Sequence, residues 1–240
     1  MQKKTSKNEI HLIVVKQNDL IQKTKCILNA QEQKFVAYAL TCIQPGDEPY
    51  TRYRINVSDF VRICGIDKRN AYREIEKMAE ALRKKMTWII DEEGKKKVLF
   101  SWFIESEYDE GAIEFVFHSH IHKYLFNLKN RFTQYELENL VKLSSKYSMR
   151  IYELLKSYEY CKETTIDLDY FREIIDAESY KSLGIMRQRI LNVAINEINE
   201  KSDIQVDLQY LDKKGRTVHN LAGKTIKSLK FEIQPKAYVQ

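Results

Sequence analysis

One order of helix-like and strand-like segments occurs twice along the 240 residues, and few folds accept such a repeat. In the first half, Asn29 can cap a helix whose apolar face reads Val36, Leu40 and Ile43, and Pro45-Gly46 stops it. Tyr53, Ile55 and Val57 then alternate as in a half-buried strand. Ser58 can cap a short helix through Phe60, Val61 and Ile63, closed by Gly65. From Asp67 a longer helix carries Ala71, Ile75, Met78, Leu82 and Met86 on one face, as a 3.6-residue period requires. Strand-like runs at 87–91 and 98–106 flank a charged turn, Glu92 to Lys97, and a third run covers 113–117.

The second half repeats this order. A helix from about Lys146 places Tyr147, Ile151, Leu154 and Tyr158 on one face, and 164–166 is a short strand. Asp167 or Asp169 caps a short helix holding Phe171 and Ile174, and a longer helix covers 185–199. Ile204, Val206, Leu208 and Tyr210 alternate with Gln205, Asp207 and Gln209. The basic turn Asp212-Lys213-Lys214-Gly215-Arg216 follows, and the hairpin returns through Leu229, Phe231 and Ile233. Helix, strand, short helix, longer helix and hairpin make a winged helix. The expected fold is therefore α+β and helix-rich: two tandem winged-helix (helix-turn-helix) domains with a pseudo-twofold internal repeat, divided at 1–130 and 131–240.

Charge and cysteine content narrow the function. Residues 1–130 carry 22 basic and 18 acidic side chains, and 131–240 carry 18 and 16, so the halves stand at +4 and +2. That distribution excludes a single cationic tail and leaves two weakly basic bodies, a balance that fits an ordinary soluble protein as well as a nucleic-acid binder. Cys26, Cys42, Cys64 and Cys161 lie far apart without metal-ligand spacing, so reduced thiols and no cofactor are expected. No apolar run approaches the roughly 20 residues of a membrane span, which leads to an expectation of a cytoplasmic protein with no membrane partner.

B-DNA's major groove admits a helix and shows a distinct donor and acceptor pattern for every base pair. A reading helix needs an outward face of Arg, Lys, Asn and Gln, and the 185–199 segment has one. At 100° per residue Ile190, Leu191, Ala194, Ile195 and Ile198 cluster on the buried side, while Gln188, Arg189, Asn192 and Asn196 lie opposite. Almost no acid interrupts that face before Glu197. Arg187 projects toward the buried side but lies in the first turn, where it can extend to a phosphate, and Lys181 and Ser182 precede the helix. Lys213, Lys214 and Arg216 are candidate phosphate clamps in the second hairpin, and Lys95, Lys96 and Lys97 in the first. The first-half helix begins with Lys68, Arg69, Asn70, Tyr72 and Arg73, but Glu74, Glu76 and Glu80 dilute its charge. Its outer face reads equally well as a Glu/Lys surface network.

Several stretches resemble the iteron-binding plasmid replication initiator proteins (RepA/RepB/RepE type). Val15 to Ile21 and Asn29 to Lys34 are similar to the family's opening segment and first long helix. His122 to Leu125, Phe132-Thr133, Leu143 to Leu155 and Met186 to Leu191 leading into Asn196 to Asn199 match more closely. Lys146 and Arg150, within the third of these, join the candidate DNA contacts. The likeness covers about residues 10–235. It implies monomers that bind direct repeats at a plasmid origin and recruit host replication proteins. It also implies dimers, joined through the first domain, that repress their own gene at an operator, and a second domain that does most of the base reading. Gln188, where relatives often carry a basic residue, and an extra loop at 221–224 depart from the pattern and leave the target sequence open.

Two other readings compete. A tandem winged-helix transcriptional regulator would use the same residues on a promoter palindrome. In His118-Ser119-His120-Ile121-His122, the histidines at 120 and 122 resemble the metal pair of DNA-nicking rolling-circle initiators. Here the triplet closes a strand and enters a helical segment, so its rings are expected to diverge. No phosphate-binding loop or nucleophile–base set is present, and a non-enzyme is expected. The segment 126–132 between the halves is the candidate joint for a change between monomer and dimer.

Overall fold

The computed structural model describes residues 12–66, 71–90, 97–109 and 111–236. An N-terminal arm of β1 (Ile13–Gln17) and α1 (Asn18–Gln22) leads into α2 (Ala30–Leu40), β2 (Arg52–Asn56), α3 (Val57–Cys64) and α4 (Ala71–Lys84). Then come β3 (Thr87–Ile90), β4 (Lys97–Phe100), β5 (Phe103–Asp109), β6 (Ala112–Phe117) and a 3-10 turn (Ser119–Tyr124). After β7 (Phe132–Glu136), α5 (Leu137–Val141), α6 (Lys146–Lys156) and a second 3-10 turn (Glu159–Cys161), the order starts again. It runs through β8 (Glu163–Asp167), α7 (Leu168–Ile174), α8 (Leu183–Met186), a π-helical turn (Arg187–Leu191), α9 (Asn192–Lys201), β9 (Ile204–Leu211) and β10 (Ser228–Pro235).

Local chemistry sets the helix ends. Asn29 accepts the Glu32 amide while Glu32 accepts the Asn29 amide, a reciprocal capping box that fixes the start of α2. Gly65 closes α3 at φ 64°, where a Cβ would be strained. Asp167 accepts the Asp169 and Tyr170 amides at the start of α7, and Ser182 accepts the Ile185 amide at the start of α8. For α3 the cap position falls on Asn56, without a side-chain bond, and Ser58 lies inside the helix.

The two halves share one sheet topology. The first sheet runs β2-β6-β5 and the second β8-β10-β9, so in each the last strand lies between the other two. This corrects the expected first wing. Residues 98–106 form two strands: β4 pairs with β3 in a separate ribbon, and β5 pairs with β6. The break falls at Ser101, whose hydroxyl donates to the Phe103 carbonyl, with Trp102 turned inward. The counterpart of the β9–β10 wing is thus β5–β6. Its surface carries Glu105, Glu107, Asp109 and Glu114 around Arg52 and Arg54, which makes it a poor phosphate clamp. The β3–β4 tip, with Lys95 and Lys96, lies outside the described residues.

Phe35, Phe60, Phe103, Phe115 and Phe117 fill the first core, with Phe35 edge-on to Phe60 at 5.2 Å and Phe103 at 4.9 Å from Phe115. In the second, Phe171 faces Phe231 at 5.6 Å beside Ile151, Leu155, Ile190, Leu191 and Leu229. Between them the arm folds back: β1 pairs antiparallel with β7, Ile13 opposite Glu136 and Gln17 opposite Phe132. The expected division at 130/131 therefore falls just before a strand whose partner lies at the start of the chain. In the candidate joint, Asn127 and Arg131 have φ of 53° and 50°, and the Arg131 carbonyl accepts the Asn18 amide at 2.7 Å.

Candidate nucleic-acid interface

Residues 183–201 form one helical run, interrupted only by the π turn. Its inner side is Met186, Ile190, Leu191, Ala194 and Ile198, all buried. Its outer side exposes Gln188, Arg189, Asn192 and Asn196 together. Arg187, projected inward by a regular helical period, is also exposed. The π turn spreads more residues over one turn, and its guanidinium lies 5.8 Å from the Tyr210 ring centroid. That contact sets the helix start beside the far end of β9. At the other end Asn199 exchanges two hydrogen bonds with Val206, at 2.9 and 2.7 Å, so helix and strand run antiparallel. Lys181, Ser182 and Arg187 therefore lie at the same end of the domain as Lys213, Lys214 and Arg216.

The first four turns of this face carry no acid, and the exposed Glu200 joins it only in the last turn. Between Ser179 and Asn196 the sequence has no Asp or Glu, and the next acid, Glu197, is turned away. Its carboxylate accepts the Ser144 amide at 2.7 Å and the Ser145 amide at 3.3 Å, capping the start of α6. Burial pushes the Glu197 carboxyl up, but the adjoining Ser148 hydroxyl, those amides and Lys201 outweigh it and hold the group at about 2. A carboxyl depressed in the folded state adds stability that is complete above its unfolded value of about 4.3 and is lost as pH falls toward 2. Glu197→Ala should cost about 1–2 kcal/mol at pH 7. Urea titrations from pH 7 to pH 2 should also show a shallower acid loss than in the parent protein; parallel curves would remove Glu197 from the account.

The other expected contacts separate into groups. Among the described residues no ion pair engages Arg189, Lys181, Lys213 or Lys214. Arg216 bonds Asp212 at 2.9 and 2.7 Å and tightens the turn that presents the two lysines. Lys146 is committed to Asp176 at 3.3 Å. Arg150 is a correction. It is 4% exposed, and its guanidinium donates to the carbonyls of Ile21, Thr24 and Ile174, so it ties the arm to α6 and α7 and cannot meet DNA.

In the first half, Arg73 is exposed next to Glu74, and Lys77–Glu74 and Lys84–Glu80 pair along α4, which is the surface-network arrangement. Lys68, Arg69 and Asn70 lie outside the described residues, and of Lys97 only the strand position is described. The histidine triplet opens the 3-10 turn. His118 accepts the His120 amide, while the His122 ring lies 3.1 Å from the Phe117 carbonyl. Among the described residues no group of three His, Cys, Asp or Glu side chains could hold a metal ion. Sequence reasoning passed over Ile185 and Val193, 50% and 46% exposed on the reading face. The signal was available: both are apolar positions falling outside the buried period.

Comparison with known proteins bears on the family and the fold. The family profile described as Initiator Replication protein, WH1, matches residues 13–156, and Initiator Rep protein, WH2, matches 167–233. A replication initiation protein of Escherichia coli is 29% identical over 220 residues, covering 88% of this chain and 68% of its own length. The PI protein of Escherichia coli is 32% identical over 151 residues, and the aligned part spans 56% of this chain and 47% of that protein. The crystal structure of Pi initiator protein in complex with iteron DNA superposes at a TM-score of 0.74 and 22% identity, covering 94% of this chain and 98% of that one. At that identity the superposition speaks for the fold.

Proposed function

The chain belongs to the initiator replication protein family with two winged-helix domains, and from that premise we propose that it initiates plasmid replication by binding double-stranded DNA repeats (iterons) at the origin. The observation that carries this reading is the outer face of the 183–201 helix, free of acid from Ser179 to Asn196 and closed by Glu200 only in its last turn, where Gln188, Arg189 and Asn192 stand together without an ionic partner among the described residues. Arg matches guanine O6 and N7 with two bonds, and Asn and Gln match adenine N6 and N7. Arg187, Lys181, Ser182, Lys213 and Lys214 hold phosphates at one end of the helix, where its N-terminal amides favour an anion. The first domain supports binding through backbone contacts and dimerisation.

Repression of its own gene at an operator, exchange between dimer and monomer, and contacts to host replication proteins complete the reading, on the strength of family likeness. The place of action is the cytoplasm, where plasmid DNA lies; no described helix is long and apolar enough to cross a membrane. We assign no catalytic step to the histidine triplet. Strand cleavage on adding a divalent metal to the bound complex would reverse that.

The deciding experiment is fluorescence anisotropy with duplexes tiled across the DNA flanking the gene, against shuffled controls, at about 150 mM salt, where bare phosphate binding is weakened. Tight binding to several direct repeats is the expected result. A single promoter palindrome would make the protein a regulator, and equal weak binding everywhere would remove the DNA reading. Lys214→Ala should weaken specific and random duplexes alike and lower the slope of log K against log salt by about 1. A loss confined to the specific duplex would make Lys214 a base reader instead.

A further inference from the structure

Ile185 and Val193 stand four residues before and after Arg189 on the outer face of the reading helix, 50% and 46% exposed. In a regular α-helix a step of four residues overshoots one turn by about 40°, so positions eight apart would diverge by about 80°. The π turn at Arg187–Leu191 falls between them and takes up part of that overshoot. The result is a stripe of apolar, cationic and apolar side chains. The same turn keeps Met186, Ile190 and Leu191 in the core.

Single apolar residues on a surface are ordinary. These two differ because their neighbours are a guanidinium and the amides of Gln188, Asn192 and Asn196, with no acid between Ser179 and Asn196. A protein partner that covered the stripe would have to bury Arg189 against an acid or leave it unpaired. The major groove offers acceptors for Arg189 and, in the same plane, one apolar group, the thymine C5-methyl. We propose that Ile185 and Val193 read thymine methyls on either side of the base contacted by Arg189. Eight residues rise about 12 Å along the helix. For a helix lying along the groove this puts the two thymines about three to four base-pair steps of ~3.4 Å apart.

This inference rests on the base-reading role of the helix, and its test separates the two. High-affinity duplexes are selected from a random pool, then each thymine is replaced in turn by deoxyuridine, which removes only the methyl. Affinity should fall about fourfold at each of two positions and ~15-fold when both are changed, taking about 0.8 kcal/mol per buried methyl. Ile185→Ala should abolish the sensitivity at one position and Val193→Ala at the other, with the melting temperature unchanged because both side chains are exposed. Selected duplexes bound equally well with thymine or uracil would overturn the inference and leave base reading in place. So would full methyl sensitivity in both variants, or loss of self-association in them without any methyl effect. Failure to select any duplex over random DNA would overturn both.

Discussion

Glu153→Leu should destabilise the protein by about 3–5 kcal/mol, the largest loss expected from a single exchange, because it leaves a buried lysine without its counter-charge. Lys16 on β1 and Tyr135 on β7 both donate to the Glu153 carboxylate of α6, and all three side chains are buried. Burial pushes the Glu153 carboxyl up, but the Lys16 ammonium, its hydrogen bond, the Tyr135 hydroxyl and Arg150 outweigh it, leaving the group below its ordinary value. The tie is therefore complete at neutral pH and weakens only as pH falls below about 4.3, the unfolded carboxyl value. Chemical denaturation would measure the loss. Lys16→Met added to Glu153→Leu should restore part of it, since Met and Leu are apolar and similar in volume to the pair they replace, while the buried Tyr135 hydroxyl loses its acceptor and keeps the recovery incomplete. If the double variant is no more stable than the single one, the pair is not what holds the arm to α6.

Arg189→Ala should weaken the selected duplex by about 1–3 kcal/mol while leaving random DNA nearly unchanged. Arg189 is exposed and makes no ion pair among the described residues, so its removal takes no support from the fold. Arg189→Lys should recover little of the loss, because an ammonium cannot make the paired contacts of a guanidinium fork. Anisotropy on matched specific and random duplexes reads both variants. An equal loss on the two DNAs would move Arg189 from base reading to phosphate holding.

Much of the fold was legible because its signals are local. The alternation from Ile204 to Tyr210, the Asn29 cap, the stop at Gly65 and the buried period of Ile190, Ala194 and Ile198 each lie within a few turns of chain. The same is true of the polar face of the reading helix, where Gln188, Arg189 and Asn192 emerge together. The first wing was not legible. Residues 98–106 read as one strand, and only the pairing of β5 with β6 and of β4 with β3 shows where the chain changes sheet. The π turn escaped as well, since it shifts backbone bonds without altering composition.

Local signals set the repeated helix, strand, short helix and longer helix and the residue types on the reading face, because caps, stops and apolar periods act over about one to five turns of chain. The tertiary structure decided which charges meet water. Arg150 and Arg189 are the same residue type on amphipathic helices. One is closed over by the carbonyls of Ile21 and Thr24, more than 120 positions away, while the other is left exposed. Glu197 looked like the acid that ends the DNA face and serves instead as the cap of α6, 52 positions upstream. A side chain's solvation depends on what packs against it from any distance along the chain, and no local pattern carries that information.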